Sequence, residues 1–405
     1  MNKVHPLILF CLFALSQSTE TSYTTGLPYL TSDLGIHPST AQLSSSIYFY
    51  GFAIGIFVLG IVSDVVGRRP VVLFGLTLFV LANILIFFTD NIYLIICFRF
   101  LQAFGASVGS VAAQAMSRDS YRGAELSKLY ALLGTGLAIM PAISSFIAGI
   151  IIKYYGWRFI FLYLFFVVGT VLAICVAKLK ETFLNSQKDI NIKYKSVFCA
   201  ILTDKKVLCF GGIIGAFNGI MYSFYIEAPF IFMQKLKIDP SLYGSIILSL
   251  GFSSALGGAL SNFLQSKGFK SSTLIISGII LSIFSCSCFF ISAIFWKTKI
   301  LVGMGAATAL ISCMMVQSFS YTIVMPLILR HALEDYGKVN GTAGSLFGAY
   351  YYLFVATANF ITTRLHDDNI IKTSGFFLGL SILSSILYTY ILKYKDLSDK
   401  PFRSH

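Results

Sequence analysis

Twelve long runs of mostly apolar residues alternate with short polar stretches along the chain. They cover residues 6–30, 43–63, 70–89, 92–116, 127–152, 157–178, 207–233, 241–264, 272–296, 299–328, 340–364 and 373–393. A bilayer core of about 30 Å is crossed by about 20 apolar residues in a helix. Inside lipid, only helices or closed barrels satisfy every backbone polar group. The pattern therefore predicts an all-α membrane protein with twelve transmembrane helices in two six-helix halves. Most connections are short, which makes neighbouring helices antiparallel. The exception, 179–206, is rich in Lys, Asn and Asp. The expected organisation is an N-terminal half at 1–178, a cytoplasmic linker at 179–206, a C-terminal half at 207–393 and a cytoplasmic tail at 394–405. Lys3, the apolar stretch Leu7 to Leu15 and the small polar residues Ser16 to Thr19 have the look of a secretory leader. The segment continues through Tyr23 to Leu30, however, and reads as a first membrane helix interrupted by polar residues.

Composition agrees with lipid as the solvent. Only 12% of the 405 residues are charged and 56% are hydrophobic, against about 25% charged in soluble domains. The net charge of +13 does not point to nucleic acid, because the Lys and Arg residues sit in the loops. With both termini inside, 21 of them fall on the inner side and 8 on the outer, and Arg99 lies within a helix. That excess predicts cytoplasmic termini in a bacterial inner membrane. The eight Cys residues lie mostly in apolar runs without metal-ligand spacing and read as small buried hydrophobes.

Charges within the apolar runs are the candidate chemistry, since each costs about 2.5–3.5 kcal/mol at the bilayer centre on insertion scales. Glu20 lies among Ser16, Gln17, Ser18, Thr19, Thr21 and Ser22. It reads either as a proton or cation site, or as a structural carboxyl bonded to those hydroxyls. Arg99 needs a partner or water, with Gln102 one turn away; it reads as tuning a nearby acidic site or contacting substrate, or else as snorkelling to the outer surface or tying helices together. Glu227, just before Pro229, reads as a proton or substrate site or as a solvated carboxylate near the outer interface. Asp33 reads as a loop or cap residue. Tyr23, Tyr222 and Tyr225 are candidates to line an adaptable pocket.

Between the second and third runs stands Gly60-Ile61-Val62-Ser63-Asp64-Val65-Val66-Gly67-Arg68-Arg69. It resembles the G-x-x-x-D-x-x-G-R-R loop of the major facilitator superfamily. Asp64 can pair with a base near a helix N-terminus, Gly67 permits the turn, and Arg68 and Arg69 hold the inner side. Arg118 and Asp119 are similar to the loop's usual partners, and the resemblance implies a charge network that stabilises one conformation. Arg99 to Ala106 resembles the fourth-helix R-x-x-Q motif, most like the bicyclomycin and chloramphenicol resistance (Bcr/CflA) subfamily. Gly156-Trp157-Arg158 and Gly341 to Leu346 are similar to the starts of its sixth and eleventh helices. Gly134, Gly136 and Pro141 match the fifth-helix motif in part, with Met140, Ser144 and Ser145 where Gly is common. A faint repeat links Gly60 to Asp64 with Gly258 to Asn262, 198 residues later, as duplicated halves would.

The resemblance implies the major facilitator fold and proton-coupled export of small amphipathic compounds by alternating access, without enzyme activity. Glu20, Arg99, Gln102 and Glu227 are the implied coupling residues. The implied partners are a small-molecule substrate, protons and the lipid bilayer, with no nucleic acid, and the chain is expected to be a monomer. A proton gradient, rather than a cofactor or metal, would drive it. A nutrient or metabolite transporter of the same fold, an importer included, is the alternative; a non-transporting receptor is a third reading. No G-x-x-x-x-G-K-[ST] loop occurs, which argues against an ATP-driven pump.

Overall fold

A computed structural model describes residues 3–182, 194–334, 336, 340–366 and 370–394; part of the expected linker, 183–193, and the tail from 395 lie outside the described residues. The helices are α1 (Pro6–Thr25), α2 (Leu27–Leu34), α3 (Pro38–Val66), α4 (Arg68–Phe87), α5 (Ile92–Ala106), α6 (Val108–Ser120), α7 (Gly123–Tyr155) and α8 (Phe159–Lys178). They continue with α9 (Tyr194–Thr203), α10 (Lys205–Pro229), a π-helical turn (Phe230–Lys235), α11 (Pro240–Ser266), α12 (Ser271–Lys297), α13 (Gly303–Ala332), α14 (Asn340–Leu365) and α15 (Ile371–Tyr394). Among the described residues, ten spans are long and apolar enough to cross a membrane, with α5 and α6 forming one and α10 with the π-turn another. The 20-residue α1, diluted by its polar cluster, and the 26-residue α14 complete the twelve.

Local chemistry sets the helix ends. Pro6 and Pro38 open α1 and α3 at positions whose N–H would be unsatisfied anyway, and the preceding His5 and His37 side chains accept from the helix amides. Asn91 accepts from Tyr93 and Leu94 to start α5. Pro229 closes the regular part of α10 without ending the helical path. The chain runs through it into the π-turn, closed by the Leu236 N–H donating to the Ile231 carbonyl at 3.0 Å. Proline removes one donor of the regular ladder, and a wider turn restores pairing beyond it.

The chain forms two compact units: residues 1–193 with 228–248, and 194–227 with 249–405. In the first, α1 packs on α6, α7 and α8, while α5 packs on α3 and α4. In the second, α12 packs on α13 and α15. Along α10, Gly211, Gly215 and Gly219 face Tyr350, Phe354 and Ala358 of α14 so closely that a Cβ would collide with the aromatic side chains. Large apolar side chains such as Phe166, Phe252 and Ile280 stand more than half exposed on the helix faces. That surface suits lipid rather than water. The span from Lys205 to Lys235 is the exception, with 94% of its apolar window buried.

One end of the first unit gathers Asp33, Asp90, Trp157 and Arg158. The Arg158 guanidinium donates to Asp33 at 3.1 Å, to the Thr89 carbonyl at 2.8 Å and to Asp90. The Trp157 indole N–H donates to Asp33 at 3.1 Å, and Arg158 lies 4.5 Å from its ring centre. Asp33 is thus a helix-end anchor for the turn before α8. Nearby in this unit, Lys153 pairs with Asp239 at 3.3 Å. The Ser241 hydroxyl bond to Asp239 holds its carboxyl below the usual carboxylate range.

Candidate functional site

Arg99 is wholly buried in the first unit. Its guanidinium donates to the Glu20 carboxylate of α1 and to the Gln102 side-chain oxygen one turn on. Gln102 passes the chain on, its amide donating to Asn83 of α4 at 2.8 Å. The faces of the guanidinium are covered by two rings, Tyr23 of α1 at 4.0 Å and Tyr48 of α3 at 4.2 Å. The Tyr23 and Ser44 hydroxyls share a hydrogen bond at 2.5 Å. Planar guanidinium is suited to this double stacking, which a lysine ammonium could not reproduce. Side chains of α1, α3 and α5 therefore meet on one cation, with α4 joined through Gln102, and every member of the set is buried. The sequence pointed to Glu20, Arg99 and Gln102, which the fold brings together; it did not point to Tyr48 or Asn83. Polar residues inside apolar runs were the available signal for Asn83, whereas an aromatic at Tyr48 is indistinguishable from packing.

A hydroxyl seam joins α1 to α7. Thr21 and Ser144 hydroxyls lie 2.6 Å apart, Ser145 donates to the Thr21 carbonyl at 3.2 Å, and Ser22 to the Ser144 carbonyl at 3.4 Å. The serines that replace glycine in the fifth-helix motif thus bond to the helix that carries Glu20. Pro141 accepts from Ser144 at 3.0 Å. A Cβ on Gly136 would meet the Phe10 ring, whereas Gly134 has nothing within 4 Å of such a position.

At one end of the same unit Arg68 donates to Ser63 and Asp64, and its Nε lies 3.5 Å from Asp119. Gly60 accepts from Ser63 at 2.8 Å. Asp119 also accepts from Thr182 at 3.2 Å, and Arg118 is half-buried beside it. The acid on the N-terminus of α4 is Glu181, absent from the sequence-derived set. Its two oxygens accept the backbone N–H groups of Arg68 and Arg69 at 3.0 Å each. Arg69 also donates to the Val176 carbonyl at 3.0 Å. Gly67 is required twice over. Its φ of +115° is in the region that favours glycine, and a Cβ there would stand 2.8 Å from the Glu181 carboxylate. Glu181→Ala is expected to cost about 0.5–2 kcal/mol, the range for losing an N-cap, read as a lower thermal midpoint. Equal midpoints would show that water replaces the carboxylate without loss.

Glu227 lies in the second unit, apart from this set, and faces His366 at the end of α14. His366 Nδ1 lies 3.0 and 2.8 Å from the two carboxylate oxygens. Nearby, Ser223 donates to Asn359 at 2.8 Å and receives from Thr362 at 3.0 Å. Asn218 stands 198 residues after Glu20, the same interval as the glycine repeat. It accepts from the Tyr321 hydroxyl at 3.0 Å, a neutral pair in the repeat position of the Glu20 charge. Tyr222 and Tyr225 lie with ring centres 6.4 Å apart. Gly105-Ala106-Ser107-Val108-Gly109 fits the bare spacing G-x-S-x-G. It joins two helices rather than a strand and a helix, and the Ser107 hydroxyl donates to the Phe104 carbonyl at 2.7 Å.

Long apolar helices with charges buried among them define a polytopic membrane carrier. The Major Facilitator Superfamily model matches residues 9–359, and the chain belongs to that family. It is 43% identical over 394 residues to an uncharacterized transporter of Rickettsia bellii, covering 96% of this chain and 97% of that one. It is 25% identical to multidrug resistance protein D of Escherichia coli, over 84% of each chain. Among solved structures, the xylose transporter XylE of E. coli in a partially occluded inward-open conformation superposes with a TM-score of 0.74. That match covers 99% of this chain and 98% of that one at 12% identity, a likeness of fold.

Proposed function

We propose that this transporter exports small amphipathic compounds in exchange for protons across a bacterial inner membrane, with both termini in the cytoplasm. The observation that carries this reading is the buried Glu20–Arg99 pair between the Tyr23 and Tyr48 rings. A buried carboxylate paired with a cation has two low-energy states: ionised and paired, or protonated and released. Protonation at Glu20 removes the charge that ties α1 to α5 and frees the guanidinium for an acceptor on the substrate. Proton and substrate then favour different states of the carrier, as exchange requires. Each proton entering down the potential supplies about 2.3 kcal/mol per 100 mV, so neither cofactor nor metal is needed. The likeness to multidrug resistance protein D supports drug-like cargo, and the Bcr/CflA-like motifs point the same way.

The test uses inverted membrane vesicles energised by respiration, with a pH-sensitive dye reporting the gradient. Cationic and neutral drugs and common metabolites are added in turn. A gradient loss on adding a drug supports the reading. Responses confined to a single metabolite class, or none to drugs, would replace it with a narrow metabolite transporter of the same fold.

A further inference from the structure

A second acid–base pair lies outside the Arg99 cluster, where α10 changes character. Glu227 is 3% exposed, and its carboxylate faces His366 Nδ1 at 2.8 Å. Five positions at four-residue intervals along α10, namely Gly211, Gly215, Gly219, Ser223 and Glu227, face α14 in turn. Three glycines bring the helices together, a hydroxyl network follows, and the carboxylate–histidine pair closes the seam. Immediately beyond it come Pro229 and the π-turn. The boundary between the two compact units falls between Glu227 and Ala228. This pair thus holds α10 to α14 next to the point where the regular helix gives way to the π-turn.

We infer that Glu227 and His366 form a second proton-binding site, separate from Glu20 and Arg99, whose occupancy sets how firmly the end of α10 is held. An ionised carboxylate can only accept, so Nδ1 carries the hydrogen and donates, and the added proton enters at Nε2. Toward Glu227 the neutral imidazole is an ordinary donor, whereas the imidazolium is a charge-assisted one, its bond roughly twice as strong. Histidine is the side chain whose ordinary titration falls between about pH 5 and 8. The titratable and charged groups nearest in sequence on these helices are Tyr222 and Tyr225 on α10, Arg364 on α14, which lies over the Phe360 ring, and Lys372 in the first turn of α15. Asp367 and Asp368, next after His366, lie outside the described residues. In the proton-exchange reading, on which its purpose rests, the site would make the gate segment beyond Pro229 respond to the acidity of one membrane face.

Hydrogen–deuterium exchange of the peptide covering residues 228–238 tests this without any transport assay. Purified protein in lipid nanodiscs is compared at about pH 5.5 and about pH 8, either side of the histidine range, with rates corrected for the intrinsic pH dependence of exchange. Wild type is expected to be about fivefold more protected at the lower pH. His366→Gln and Glu227→Gln are expected to lose that difference, each reaching the pair from its own side should the other fail to fold. Glu20→Gln is expected to keep it. A flat wild-type profile, a His366→Gln profile like wild type, or loss of the effect in Glu20→Gln would overturn the inference. Failure of drug-driven proton movement in vesicles would overturn the exchange reading alone.

Discussion

Glu20→Gln is expected to reduce drug-driven proton movement in energised vesicles to the background of empty vesicles, while the protein still inserts and folds. Gln keeps the shape of the side chain and can accept one bond from Arg99, but it can neither ionise nor carry a proton. The guanidinium it leaves behind is not abandoned. Gln102 remains an acceptor, and the Tyr23 and Tyr48 rings remain at 4.0 and 4.2 Å, each such contact worth about 2 kcal/mol when desolvated. The stability loss should therefore stay at about 1–3 kcal/mol, the size of a lost charged hydrogen bond. Size-exclusion profile and thermal midpoint check the fold, and the dye assay checks the coupling. An undiminished proton response in a folded variant would remove Glu20 from the coupling role.

Arg99→Met should do more damage to stability than any other single change in this set. It leaves the Glu20 carboxylate buried without its cation, and breaking a buried pair from one side costs about 3–5 kcal/mol. The loss would appear as poor yield and a depressed unfolding midpoint. The physical cause predicts its own remedy: in the double variant Glu20→Gln, Arg99→Met no charge remains to be stranded, and much of the loss should return. The coupling energy from that double-mutant cycle measures the pair directly. If the double variant is no more stable than Arg99→Met, the damage comes from lost packing against the two tyrosines instead.

These expectations rest partly on features legible in the sequence and partly on features that are not. The spans were legible because lipid demands length and apolarity of every helix, and the observed helices begin and end within a few residues of the apolar runs. Glu20, Arg99 and Gln102 were legible because a charge in an apolar run is expensive and so conspicuous. What the pattern could not supply was azimuth. Tyr48 meets Arg99 and Asn83 meets Gln102 only because α3 and α4 are rotated to present them, and an aromatic ring that stacks on a cation has the same hydropathy signature as one that meets lipid. Glu181 and His366 lie at helix ends, where hydropathy changes sign and their partners are decided by how distant turns meet. The π-turn after Pro229 was hidden for a related reason: a proline marks a disturbed ladder without saying how the chain repairs it.

The chain contains only two tryptophans, Trp157 and Trp296. Trp157 is tied to Asp33 through its indole N–H and lies under the Arg158 guanidinium. This gives the molecule a built-in optical reporter. With Trp296 changed to Phe, the remaining emission comes from one indole whose colour depends on a carboxylate and whose intensity depends on a cation. Parting of α2 from the turn before α8 would alter both at once, so conformational exchange at that end could be followed in unlabelled protein, before any cargo is known.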